Sequence, residues 1–121
     1  MKSALIIEDS IVISAFMQEQ IRRQRPGTEI ALASTLKAGL DYVANHSPEL
    51  VILDLHLPDA DPRDTIGAIS RLKAHGAKCI VCTAMDGVED ECRKNGADAV
   101  VQKVVGIDTQ TLLDTIKLVE A

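Results

Sequence analysis

The sequence lacks three features that would mark whole classes of protein. No apolar run approaches the roughly 18 residues of a membrane span, and the N-terminus lacks the long apolar stretch of a signal peptide. Basic charge is also scarce, because 13 lysines and arginines face 18 acidic residues and leave a net charge of −5. Nucleic-acid binding needs a basic patch. The sequence therefore predicts a soluble cytoplasmic domain that contacts neither membrane nor nucleic acid directly.

Cysteine is too scarce for a disulfide framework. The three cysteines are Cys79, Cys82 and Cys92, and an odd number fits a reducing compartment. Cys79 and Cys82 form a C-x-x-C pattern, but Ile80 and Val81 between them are strand formers, which favours a buried strand over a redox site. A zinc site is disfavoured, because there is no second cysteine pair and the three histidines lack ligand spacing.

Hydrophobic patterning predicts one α/β domain over residues 1–121. The length and the 46% hydrophobic content suit a single core. Strand-like runs alternate with helix-like segments five times. The predicted strands are Ala4 to Ile7, Glu29 to Ala33, Leu50 to Leu53, Lys78 to Cys82 and Ala99 to Val101. Because these runs are apolar throughout, we expect a parallel sheet buried on both faces by helices.

Capping residues and helical spacing place five helices between and after these strands. The predicted helices run from Ser10 to Arg25, from a cap at Ser34 or Thr35 to just before Ser47, from Asp61 to His75, from about Asp86 to Asn95, and onward from Asp108. The residues predicted to face the core are Ile13, Phe16, Met17 and Ile21, then Leu36, Leu40, Val43 and Ala44, and finally Leu112, Ile116 and Val119. The result is a five-stranded open α/β sandwich.

Charged and polar side chains stand just past the ends of four of the predicted strands. They are Glu8 and Asp9, Asp54, Thr83 and Lys103. In a parallel sheet these positions converge at one carboxyl edge, where ligands bind. Three carboxylates about 5 Å apart repel by about 3 kcal/mol per pair, so they favour a hard cation such as Mg²⁺. With a lysine and a hydroxyl beside it, Asp54 is suited to attack a phosphoryl group.

The same residues carry a family resemblance over the whole chain. The motifs Ile7-Glu8-Asp9-Ser10, Leu53-Asp54-Leu55-His56-Leu57-Pro58-Asp59, Thr83-Ala84 and Lys103 follow successive strands in order. This arrangement resembles the receiver domain of two-component response regulators. The resemblance implies a (βα)5 flavodoxin-like fold with strand order 2-1-3-4-5.

The resemblance also implies a role for each site residue. Asp54 would accept the phosphoryl group, Thr83 would hydrogen-bond it and Lys103 would pair with it. Asp9 and Asp54 would bind Mg²⁺ directly, together with the His56 carbonyl, while Glu8 would act mainly through water. The side chains of His56 and Met85 would flank the path of a hydrolysing water and tune the lifetime of the phosphoryl group.

The resemblance implies one partner that donates the phosphoryl group and another that responds to it. A histidine kinase or a phosphotransfer protein would donate the phosphoryl group. An effector domain, a partner protein or a second copy would bind the face formed by the fourth helix, fifth strand and fifth helix. Such a domain catalyses only its own phosphorylation and dephosphorylation, so it is not a conventional enzyme. It is either complete or a piece of a longer regulator.

Three positions depart from the usual receiver pattern. Val104 replaces the proline that follows the lysine, so we expect no cis peptide there. Pro62 replaces a common glycine, which would shift the entry to the third helix. Val100 replaces a switching aromatic residue, and the chain has only one tyrosine and one phenylalanine. Coupling would therefore run through Thr83 and backbone shifts.

Other functions remain open at this stage. A receiver-like module could bind partners without phosphorylation, although the retained site residues count against this. A haloacid-dehalogenase-like phosphohydrolase needs an acid where His56 stands, and the chain has no room for a cap domain. Taken singly, each site residue could also be a helix cap, a turn residue or a solvated loop charge.

Overall fold

A computed structural model of the chain describes residues 2–103 and 109–120. The strands are β1 (Ser3–Ile7), β2 (Glu29–Ala33), β3 (Leu50–Leu53), β4 (Lys78–Thr83) and β5 (Ala99–Gln102). The helices are α1 (Ile11–Gln24), α2 (Leu36–His46), α3 (Pro62–Gly67), α4 (Ile69–Leu72), α5 (Glu89–Lys94) and α6 (Thr109–Glu120). All strand pairs are parallel and the order is β2-β1-β3-β4-β5, which confirms the predicted fold.

The apolar strands form two core layers, one on each face of the sheet. Successive side chains of a strand point to opposite faces, so Leu5 and Ile7 enter one layer while Ala4 and Ile6 enter the other. Helices α2, α3, α4 and α5 cover the first layer, and α1 and α6 cover the second. This double burial explains why the central strands β1, β3 and β4 carry no polar alternation, whereas the edge strands β2 and β5 are partly exposed.

Short polar side chains start three of the helices where the sequence predicts them. Ser10 accepts a hydrogen bond from the Ile13 N–H, and Thr35 accepts one from the Ala38 N–H. Asp61 accepts one from the Asp64 N–H at the start of α3. Each of these bonds satisfies an amide that has no partner within its own helix.

Two residues predicted to face the core do not. Phe16 is 45% exposed and Ala44 is exposed. In each helix a small residue takes part in the buried stripe: α1 buries Ser14 with Met17 and Ile21, and α2 buries Gly39 with Leu36 and Val43. Residues next in sequence are about 100° apart around a helix, so Phe16 and Ala44 turn away from these stripes.

Several boundaries also differ from the prediction. The third helix is not continuous to His75, because it is interrupted at the buried Ala68 and continues as α4 only to Leu72. The next helix begins at Glu89 and not at Asp86, since Gly87 has a φ of +73°, which a right-handed helix excludes. Strands β1, β4 and β5 are each one residue longer than predicted. The predicted start of the last helix, Asp108, lies outside the described residues.

The C-x-x-C pattern is part of the buried sheet, as predicted. All three cysteines are free and buried. Burial raises the pKa of the Cys79 thiol to about 12 and that of Cys82 to about 11. These thiols are therefore poor nucleophiles at neutral pH.

Among the described residues, no helix combines the length and apolarity that crossing a bilayer requires.

Substituting Gly39 tests the close contact between α2 and β1. A Cβ at Gly39 would lie 2.9 Å from Cγ1 of the buried Ile7. We expect Gly39→Ala to lower the free energy of unfolding by about 1–2 kcal/mol, although alanine favours helix by about 1 kcal/mol. Urea unfolding followed by circular dichroism measures this change.

Gly67 provides the matched control, because a Cβ there meets no heavy atom within 4 Å. Gly67→Ala should leave stability unchanged or raise it by up to about 1 kcal/mol. Adding Ile7→Val should recover part of the loss in Gly39→Ala, since it removes the Ile7 Cδ1 methyl group, which is the atom nearest to a Cβ at Gly39. Equal stabilities for the two alanine variants would show that the contact can relax freely.

Candidate functional site

The side chains singled out at the predicted strand ends lie at the carboxyl edge of the sheet. Glu8 and Asp9 follow β1, Asp54 follows β3, Thr83 is the last residue of β4 and Lys103 follows β5. Parallel strands end on the same side, so residues far apart in sequence are brought together without any irregular structure.

Backbone hydrogen bonds carry the sheet pairing one residue past the strands. The Asp54 N–H donates to the Ile7 carbonyl at 3.0 Å, and the Lys103 N–H donates to the Thr83 carbonyl at 2.7 Å. These bonds fix the backbone from which the acidic and basic side chains project. The positions of the charges are therefore set by the sheet and not by a flexible loop.

The Lys103 ammonium lies between two buried carboxylates. Its Nζ is 2.7 Å from Glu8 Oε1 and 3.5 Å from Asp54 Oδ2. The side chain of Lys103 is 12% exposed, that of Glu8 is 2% exposed and that of Asp54 is 6% exposed. Burial acts to lower the pKa of Lys103, but the hydrogen bond with Glu8 and the charges of Asp54 and Glu8 outweigh it and raise the pKa. The lysine is therefore charged throughout the physiological range.

Glu8, Asp9 and Asp54 form a compact carboxylate cluster. One carboxylate oxygen from each lies within 4.8 Å of the other two. Glu8 and Asp54 are buried, while Asp9 is exposed. A set of a few carboxylate oxygens beside open solvent fits Mg²⁺, which keeps several waters when bound to proteins. The spacing agrees with the 5 Å or so assumed from the sequence, and the donor set suits a hard divalent cation.

Backbone amides orient both buried carboxylates. The His56 N–H donates to Asp54 Oδ1 at 3.2 Å, and the Ser10 N–H donates to Glu8 Oε2 at 3.3 Å. In each carboxylate the other oxygen faces Lys103. The His56 side chain is exposed. Its carbonyl as a metal ligand stays a prediction.

The Thr83 hydroxyl is buried at the end of β4. Thr83 is 0% exposed, and its Oγ1 accepts a hydrogen bond from the Met85 N–H at 3.0 Å. A hydroxyl that accepts one bond can still donate its own hydrogen. Met85 is half-buried. The structure thus places a hydroxyl and a methionine in sequence along the loop that leaves β4.

Gln102 is a site neighbour that the sequence reasoning missed. Its Nε2 donates to the Ala84 and Met85 carbonyls, both at 3.2 Å, and so ties the loop after β4 to β5. The feature of the sequence that could have indicated this role is the amide side chain one residue before Lys103.

Asp59 is a second residue whose hydrogen bonds the sequence reasoning missed. Its carboxylate accepts the Leu36 N–H at 2.8 Å and the Lys37 N–H at 3.0 Å.

Two of the three departures from the receiver pattern lie in the described residues. Pro62 occupies the first turn of α3, whose cap is Asp61. Val100 is half-buried and lines a surface cavity of about 320 Å³ beside Val88 and Gln102. Val104, and with it the predicted trans peptide after Lys103, lies outside the described residues.

Comparison with known proteins agrees with this geometry. A family model described as the response regulator receiver domain matches residues 4–117. KdpE, the KDP operon transcriptional regulatory protein of Escherichia coli K12, is 33% identical over 109 residues, which cover 88% of this chain and 47% of KdpE. DivK, a polar-differentiation response regulator of Brucella ovis, is 26% identical over 119 residues, covering 96% of this chain and 94% of DivK.

Solved structures show the same fold. A CheY-like response regulator receiver domain from Methanospirillum hungatei superposes with a TM-score of 0.83 and 27% identity, covering 98% of this chain and 92% of that one. The chain spans about half the length of the curated transcriptional regulators that it matches, 47% for KdpE and 48% for PhoP of Salmonella typhimurium.

Removing the lysine charge tests the ion cluster. We expect Lys103→Met to lower the free energy of unfolding by about 3 kcal/mol at pH 8, because two buried carboxylates lose their shared cation. The pKa of Lys103 is raised in the folded state. Its contribution is therefore complete below about pH 10.4, the unfolded value, and is lost as the pH rises through the folded value.

Urea unfolding between pH 8 and pH 11.5 measures this dependence. The stability difference between wild type and Lys103→Met should be constant up to about pH 10 and shrink above it. Lys78→Met, at an exposed lysine that begins β4, serves as the control and should show neither effect. A difference that does not shrink at alkaline pH would contradict the charge-based explanation.

Proposed function

Because the chain belongs to the response regulator receiver domain family, we propose that Asp54 accepts a phosphoryl group in a Mg²⁺-dependent reaction. The donor is a histidine kinase or a phosphotransfer protein that carries a phosphohistidine. The observation that carries the proposal is the buried Asp54 carboxylate, 3.5 Å from the Lys103 ammonium and within the three-carboxylate cluster. A structural salt bridge needs one carboxylate, not three.

The proposed transfer is an in-line displacement at phosphorus. A carboxylate oxygen of Asp54 attacks, so that a new P–O bond forms while the P–N bond to the donor histidine breaks. The electron pair of the broken bond returns to the imidazole ring. The bond from the His56 N–H to Oδ1 fixes the plane of the carboxylate before the attack, which reduces the entropic part of the barrier.

Lys103 and Thr83 would stabilise the transferred group. The ammonium offers positive charge on the Asp54 side of the cluster, and the buried hydroxyl offers a hydrogen-bond donor. Mg²⁺, held by Asp9 and Asp54 with the His56 carbonyl and by Glu8 through water, would supply the further positive charge that phosphoryl oxygens need. Both protein groups stand on strand ends and are in place before a donor arrives.

The output surface in this proposal is formed by α5, β5 and α6, which correspond to the predicted fourth helix, fifth strand and fifth helix. The Thr83 hydroxyl is bonded to the Met85 amide, and Gln102 of β5 is bonded to the Met85 carbonyl. A change at Thr83 would therefore reach β5 through one residue. An effector domain, a partner protein or a second copy of the chain would read the change on this surface.

The proposal gives the domain the role of a switch. Its chemistry would be limited to its own phosphorylation and dephosphorylation. The three free, buried cysteines fit the reducing cytoplasm that we propose as the location of the domain.

The phosphoacceptor can be tested directly with a small-molecule donor. We expect one added phosphoryl group in the intact mass after incubation with acetyl phosphate and Mg²⁺. Asp54→Asn, which keeps the shape of the side chain and removes its nucleophilic charge, should abolish the addition, and so should a chelator. Asp86→Asn, which changes an exposed carboxylate in the loop after β4, is the matched control and should be phosphorylated like wild type.

Wild-type protein that stays unmodified with acetyl phosphate and with a panel of histidine kinases would overturn the proposal. The chain would then act as a receiver-like interaction module without phosphorylation. Addition that persists in Asp54→Asn would instead move the acceptor to another residue.

A second experiment concerns the lifetime of the phosphoryl group. The Met85 backbone is fixed by its bond to Thr83, and we expect its side chain to hinder the hydrolysing water. Met85→Ala should speed dephosphorylation by about fivefold, because a smaller side chain excludes less water. Loss of the added mass over time, after removal of the donor, gives the rate.

His56→Asn tests the other side of the proposed water path. A slower rate would show that the imidazole assists the water, and a faster rate would show that it blocks the water. Rates equal to wild type in both variants would show that neither residue tunes the lifetime.

A further inference from the structure

We propose that Asp59 is a positioning residue, which holds the loop after the phosphoacceptor by anchoring it to the N-terminus of α2. This inference rests on the proposed function of Asp54, since it concerns how that carboxylate is oriented. It adds a residue that lies five positions beyond Asp54 and touches none of the clustered charges.

The anchor consists of two hydrogen bonds to one carboxylate. The Leu36 N–H donates to Asp59 Oδ1 at 2.8 Å, and the Lys37 N–H donates to Asp59 Oδ2 at 3.0 Å. These bonds from the Lys37 and Leu36 amides lower the pKa of Asp59, so the carboxylate is charged at neutral pH. A negative charge is favoured at a helix N-terminus.

Helix α2 therefore has two caps of different origin. The side chain of Thr35, the N-cap residue of α2, accepts the Ala38 N–H at 3.0 Å. The two preceding amides depend on Asp59, which lies 22 and 23 residues further along the chain. An N-cap ordinarily comes from the residue at the helix start. Because Asp59 caps two amides of α2, it links the loop after β3 to this helix.

The turn that carries Asp59 transmits the restraint towards Asp54. Leu57 and Ala60 form an isolated antiparallel bridge, so Asp59 lies within a tight turn. Leu57 is 6% exposed and follows His56, whose N–H holds Asp54 Oδ1 at 3.2 Å. Displacing the turn would displace the His56 amide, and with it the plane of the acceptor carboxylate.

Helix α2 is a firm support for this anchor. Its Gly39 lies against Ile7 so closely that a Cβ would come within 2.9 Å of Ile7 Cγ1. Ile7 is the last residue of β1 and directly precedes Glu8. Through α2, the anchor therefore fixes the position of the loop after β3 relative to the acidic residues after β1.

The experiment compares Asp59→Asn with Thr35→Val. Each variant weakens capping at the N-terminus of α2, but only Asp59→Asn weakens the link to the loop, because its amide nitrogen cannot accept the second of the two backbone bonds. We expect a lower urea midpoint in both variants. We further expect faster hydrogen exchange of the His56 amide in metal-free protein only in Asp59→Asn.

Two functional readouts should separate the variants in the same way. Asp59→Asn should bind Mg²⁺ about tenfold more weakly by titration calorimetry, and acetyl phosphate should modify it more slowly by a similar factor. Thr35→Val should match wild type in both. Asp59→Glu keeps the charge on a longer side chain, and it should recover part of the Mg²⁺ affinity and of the His56 protection.

Asp59→Asn that behaves like Thr35→Val in all three readouts would overturn the inference, and burial of Leu55 and Leu57 would then suffice to hold the loop. If wild type neither binds Mg²⁺ nor accepts a phosphoryl group, the proposed function fails. The His56 exchange rate still decides the positioning role in that case, because it is measured without metal or donor.

Discussion

The shared lysine is the interaction on which the site depends. At an effective dielectric near 20, distances of 2.7 Å and 3.5 Å correspond to about 11 kcal/mol of attraction between Lys103 and its two carboxylates. Three carboxylates with oxygens within 4.8 Å of one another correspond to up to about 10 kcal/mol of repulsion, since solvent screens the exposed Asp9. The two contributions nearly cancel before the cost of burial is counted. The cluster is therefore no source of stability, and its net negative charge favours a further cation.

The sheet makes so unfavourable a cluster tolerable. Strands β1, β3 and β4 are buried on both faces, and burying each aliphatic side chain contributes about 1.5–3 kcal/mol. That burial is independent of the charges beyond the strand ends. Parallel pairing then requires the strand ends to lie side by side. The apolar core supplies the stability, and the carboxyl edge carries the repelling charges.

The sequence predicted what depends on local pattern and missed what depends on distant contacts. Apolar runs and the residues after them were enough to infer the sheet and to bring Glu8, Asp54 and Lys103 together. Helical spacing alone misplaced Phe16, because the buried stripe of α1 includes the small polar Ser14. The bonds of Asp59 to α2 span 22 and 23 residues, and no periodicity in the sequence encodes them.

A phosphoryl group on Asp54, as proposed, would change the balance of charges that the structure shows. It would replace one carboxylate charge with about −1.5 to −2, while Lys103 is at present closer to Glu8 than to Asp54. The ammonium would then be drawn from Glu8 towards the new charge. Thr83 could donate its hydroxyl hydrogen to the same group, and any shift of its oxygen would move the Met85 amide that donates to it. Because Gln102 holds the Met85 carbonyl, that adjustment would move β5 as well. With Val100 in place of an aromatic side chain, this hydrogen-bonded route would carry the signal that a rotating ring carries elsewhere in the family.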